Sequence, residues 1–165
     1  MRKYGLIMTL PDGKKAGFYA QIVKALAGSV RLFDRDKDLL VLDGAGDRDR
    51  AAAVLEQYRV PCEEIGLILL PEGTELPPGS NELGFQTRSG RTFLYADRTA
   101  GFRLADSPEP ADEAERAAAL LQLEEHIALR YAVEDGSPVY ICEPHLAETV
   151  AGIARRYRLG VSFLW

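Results

Sequence analysis

Apolar positions along the chain change their spacing from strand-like to helix-like runs and back. Tyr4–Leu10 is apolar at nearly every position and stops at Pro11-Asp12-Gly13, which predicts a strand ending in a turn. From Lys15 to Ala27 the apolar residues Phe18, Ile22, Ala25 and Leu26 fall on one helical stripe, and Gly28-Ser29 is the expected stop. Val30–Asp34 and Leu39–Asp43 read as short strands joined by the charged turn Arg35-Asp36-Lys37-Asp38. Asp47 is the expected N-cap of a helix over Arg48–Tyr58, with Ala51, Val54, Leu55 and Tyr58 on its buried face. Val60-Pro61 stops that helix, and Ile65–Leu70 reads as a buried strand apolar on both faces.

The order strand, helix, strand, strand, helix, strand is the split βαβ pattern of a ferredoxin-like fold, and it occupies residues 1–71. Residues 72–82 form the expected loop or linker, since Pro71–Asn81 holds three prolines and two glycines. Residues 83–165 form a second α+β subdomain. It opens with a β-hairpin, Phe85–Arg88 and Arg91–Ala96 around Ser89-Gly90, followed by a strand at Phe102–Ala105. Asp112 and Glu115 make an Asp version of the capping box for a long helix reaching Tyr131. Val139–Cys142, a helix opened by Pro144, and Val161–Trp165 then predict a parallel βαβ crossover. The predicted class is α+β, a ferredoxin-like βαββαβ N-terminal half followed by a β-hairpin and a βαβ-containing C-terminal half.

The segments Leu6–Asp12 and Gly17–Ala27 resemble the start of an ACT domain, in which an apolar strand leads through an Asp and a Gly into a helix. The resemblance covers residues 4–71. It implies a regulatory module that pairs through strands or helices and often binds amino acids at the interface. On this sequence it implies Asp12, Gly17 and Phe18 as ligand-binding residues.

Composition narrows the function classes. The chain has 165 residues, 20 Lys+Arg against 25 Asp+Glu, and a net charge of −5. That charge argues against general nucleic-acid binding, which calls for a basic footprint. The apolar runs are too short to cross a bilayer, and Met1–Met8 lacks the length of a signal core. A cytoplasmic protein is therefore expected, with Cys62 and Cys142 as free thiols.

Four clusters are candidates for chemistry. Asp34, Asp36, Asp38, Asp43, Asp47 and Asp49 are six acids in sixteen positions, but a calcium loop needs Gly and Glu where Leu39 and Ala45 stand. Gly44-Ala45-Gly46 opens a helix as a phosphate loop does, yet Asp47 and Asp49 follow it. Cys142, Glu143 and His145 lie where a strand ends and a helix begins, the edge at which a catalytic thiol and its acid–base partners would sit. Arg88, Arg91, Arg98 and Arg103, with Arg155, Arg156 and Arg158, read first as surface charges on an acidic protein, the alternative being an anion-binding face. No metal site and no cofactor are expected. The apolar end Phe163-Leu164-Trp165 is expected to complete a sheet, the alternative being insertion into a second subunit.

The leading expectation is a non-catalytic binding, regulatory or accessory protein that acts through a small ligand or a protein partner and self-associates. A small enzyme around Cys142, Glu143 and His145 is the second reading. An RNA- or phosphate-binding module on the Arg-rich hairpins is the third.

Overall fold

A computed structural model describes residues 1–11, 13, 16–106 and 111–165. The fold is α+β. Its described residues form two antiparallel sheets and four α-helices. They group into two compact units, Met1–Gly73 with Phe85–Tyr95, and Thr74–Gly84 with Ala96–Trp165.

The first unit runs β1 (Arg2–Met8), α1 (Ala16–Ser29), β2 (Leu32–Asp36), β3 (Leu39–Leu42), α2 (Ala45–Gln57) and β4 (Cys62–Leu69). A hairpin of β5 (Gly84–Gln86) and β6 (Thr92–Tyr95) adds to β4. The sheet order is β2-β3-β1-β4-β6-β5. Alternation along the strands gives the sheet two apolar faces. Leu6, Met8, Leu40 and Leu42 pack under Ile22 and Leu26 of α1 and Ala51, Val54 and Leu55 of α2. Val41 and Leu67 face the other way and are covered by Phe93, with Phe33, Phe85 and Tyr95 around it. The hairpin thus closes the face that the helices leave open.

The second unit runs β7 (Ala100–Asp106), α3 (Glu113–Leu123), β8 (Leu129–Ala132), β9 (Pro138–Cys142), α4 (Ala147–Arg156) and β10 (Leu159–Phe163). Its sheet order is β10-β7-β9-β8, antiparallel throughout. Counted within each unit, and leaving the added hairpin aside, both sheets read four-one-three-two in chain order. The chain builds one connectivity twice. The ends of α2 and α4 repeat in detail. Tyr58 and Tyr157 are the C-caps, Arg59 and Arg158 follow at φ 55° and 58°, and buried Val60 and Leu159 come next.

Two expectations are corrected. The third helix does not reach Tyr131. After Leu123 it passes through a 3-10 turn, and Ile127 is already extended at φ −92°, ψ 114°. Leu129 and Tyr131 are then half-buried while Arg130 and Ala132 are exposed, the period-two pattern of an edge strand. Second, Asp47 is not an N-cap: Gly44 holds that place without a side-chain bond, and Asp47 sits in the first turn, accepting from Arg50 at 2.6 Å. The expected parallel crossover is present: β9 and β10 each pair antiparallel with the β7 that lies between them, so they run parallel to one another and α4 joins them. The Asp112 capping box is present, with the Glu115 amide donating to Asp112 at 2.8 Å and the Asp112 amide donating to Glu115 at 3.1 Å.

Candidate functional site

A groove of the first unit lies beside the end of β1. β1 ends at Met8, and the Thr9 amide donates to the Pro61 carbonyl at 2.8 Å. Pro61 also lines a wide groove of about 700 Å³, with Ala52, Ala53, Glu56, Arg59 and Cys62. Its lining is mostly apolar and includes the charged residues Asp49, Glu56 and Arg59.

Arg59 stands out in this lining. Its backbone is left-handed at φ 55°, a region where a non-glycine residue is strained. At the same place in the second unit, the guanidinium of Arg158 donates to Glu115, which raises its already high pKa. The Arg59 guanidinium has no ion-pair partner among the described residues. Sequence reasoning passed over Arg59; the signal available was the repeated Tyr-Arg-apolar step at residues 58–60 and 157–159. Cys62 is half-buried, and burial followed by the nearby Glu64 charge pushes its thiol above its ordinary value.

Of the residues implied by the ACT resemblance, Asp12 lies outside the described residues. Gly17 is exposed in the first turn of α1, and a methyl group built there would meet nothing within 4 Å. Phe18 is half-buried with its ring edge-on to Tyr58, centroids 6.3 Å apart. Phe18 therefore leans on the C-cap residue that precedes Arg59.

The structure divides the Cys142 cluster. Cys142 is fully buried in the core of the second unit with Phe102, Leu123 and Val150. Burial, then the Glu143 charge, raises its thiol pKa. A nucleophilic thiol needs the opposite shift and access to substrate. Glu143 and His145 are exposed and face each other at 3.5 Å, outside that core.

Much of the acid run is paired with cations. Asp43 pairs with Lys3, Asp47 with Arg50, and Asp49 with Arg48. Among the described residues no group of three or more His, Cys, Asp or Glu is placed to hold a metal ion. Asp34 has a different role. Its side chain is only 9% exposed and accepts from Thr87 at 2.9 Å, Ser89 at 2.6 Å and Arg91 at 3.2 Å, all in the β5–β6 turn. The Arg35 amide adds a fourth bond at 2.8 Å. Burial alone would raise this carboxyl; the four hydrogen bonds together outweigh it and hold the pKa below its ordinary value. Arg91 is thereby committed to a clasp between β2 and the hairpin, stacked on Phe33 at 5.0 Å with Lys3 on the same ring at 3.9 Å. Arg155 and Arg156 end α4, and no helix among the described residues is long and apolar enough to cross a membrane.

No protein-family model matches this chain, and none of the curated proteins matches it.

Proposed function

We propose that this chain is a non-catalytic, ligand-responsive protein built from two ferredoxin-like modules. The first is ACT-like, and it takes a small zwitterion, a free amino acid, in the groove beside the end of β1. One observation carries the reading. Arg59, whose guanidinium has no ion-pair partner among the described residues, lines a mostly apolar groove together with the carboxylates Glu56 and Asp49, and the end of β1 reaches that groove through the Thr9–Pro61 hydrogen bond. Arg59 matches an α-carboxylate, Glu56 an α-ammonium, and Ala52, Ala53 and Pro61 an apolar side chain. The antiparallel four-one-three-two order of each sheet supports the ferredoxin-like assignment. The first unit's strand–turn–helix opening supports the ACT likeness. A cytoplasmic setting and self-association belong to the same reading.

Titration of isotope-labelled protein with free amino acids, followed by NMR, tests the site. Saturable shifts are expected at Gly13, Gly17, Phe18, Arg59 and Cys62. Binding that moves only residues of the second unit, or no binding by any amino acid, overturns the proposal.

A further inference from the structure

Each sheet has two edge strands, and three of the four carry a feature that blocks pairing. β2 has charged residues at Asp34, Arg35 and Asp36, and its register shifts between Leu32 and Asp34. β5 is only three residues long. β8 carries Arg130 in its four residues.

β10 has none of these defences. Leu159 to Trp165 reads Leu-Gly-Val-Ser-Phe-Leu-Trp, without charge or proline. Its pairing with β7 runs unbroken from Leu159 to Phe163 and continues with the Leu164 amide donating to the Gly101 carbonyl at 2.7 Å. Trp165 holds the end in place. It donates to Thr99 at 3.3 Å, and its ring lies so close over Gly101 that a methyl group there would come within 2.2 Å of it. The end of the strand is thus anchored to β7 and Thr99. Phe163 and Leu164 remain 41% and 45% exposed beside its outer edge.

The register identifies the outward backbone. Leu164 bonds inward to Gly101, and bonding alternates along an antiparallel strand, so Ser162 and Gly160 also bond inward. Leu159, Val161 and Phe163 turn their amides and carbonyls away from β7.

We infer that β10 is a self-association edge, on which a second copy of this chain lays its own β10 antiparallel about a two-fold axis near Val161. Charge favours a second copy. The run is uncharged, so identical strands meet without like-charge repulsion. α4, which packs on β10 through Ala154 and Tyr157, has Glu148 in its first turn and Arg155 and Arg156 in its last. A two-fold that reverses β10 also reverses α4, and points the acidic end of one helix along the basic end of the other. In this register Leu159 meets Phe163, and Gly160 meets Ser162. The result joins two four-stranded sheets into one of eight strands. The inference deepens the self-association named above and is independent of the ligand and its groove.

Mass measurement by light scattering, with backbone hydrogen exchange, tests it on the full chain. The expected mass is twice 18.2 kDa, with the Leu159, Val161 and Phe163 amides protected and losing protection on dilution. Ser162→Lys places a charge on the edge at an exposed position and is expected to return the mass to 18.2 kDa with an unchanged circular dichroism spectrum. Should that variant not fold, the concentration dependence of exchange in the native chain decides alone. A monomer with fast-exchanging outward amides overturns the inference and leaves the edge to a strand of another protein. A dimer whose β10 amides exchange freely also overturns it. Neither result bears on amino-acid binding in the first unit.

Discussion

At Asp34, donors from Thr87, Ser89 and Arg91 converge from a turn more than fifty residues away in sequence. The carboxylate holds the hairpin over the open face of the first sheet. Its folded pKa is lowered, so its contribution to stability is present above the ordinary carboxylate pKa and is lost as pH falls through the folded value. Asp34→Asn is expected to cost about 1–3 kcal/mol at neutral pH, the worth of hydrogen bonds to a charged group. The gap to the native chain should close on acidification below about pH 4. Urea melts across pH measure this; a gap that stays constant into acid contradicts the clasp. In the sequence Asp34 was one acid among six, because nothing local marks a partner so distant. Cys142 was similarly ambiguous: its position at a strand end was legible, but which face of β9 it occupies depends on the strands that flank it.

The elements were largely legible, and their misreadings share a cause. Helix and strand periods identified α1, α2, α4 and most strands, because each buries one continuous stripe or face. β8 was absorbed into the preceding helix, since Ile127 and Tyr131 also fit a helical stripe and no glycine or proline separates them from Leu123. The left-handed residues after α2 and α4 were invisible for a similar reason. Glycine usually takes that position, and here arginine does. Arg158 gains the Glu115 pair there, whereas Arg59 holds the same backbone with no ion pair among the described residues. Arg59→Gly is therefore expected to stabilise the ligand-free chain by up to about 1 kcal/mol, as relief of left-handed strain. It is also expected to abolish amino-acid binding. Stability and binding move in opposite directions only if the side chain serves the groove. A variant that loses stability and keeps its affinity assigns Arg59 a packing role instead.

At the scale of the molecule, two α+β halves of similar length were apparent, but their identity of connectivity was not. A repeat of topology leaves its trace in which strands pair, and pairing across the sheet is set by contacts remote in sequence. Only the Tyr-Arg-apolar step survives as local text. The paired modules present a groove, a clasped sheet face and one undefended edge, and the buried Cys142 offers no activated thiol. This arrangement suits a protein that binds and associates. Its central claim is amino-acid binding at the Arg59 groove, and thermal melting of the native chain and Arg59→Gly across a panel of amino acids, nucleotides and divalent metals tests it most directly. At about 100 times its dissociation constant a ligand adds roughly 2.7 kcal/mol, which for a chain of this size moves the midpoint by about 5–10 °C. The account predicts that shift for at least one amino acid in the native chain and none in Arg59→Gly. A native melt unmoved by every amino acid, or an equal shift in the variant, would contradict it.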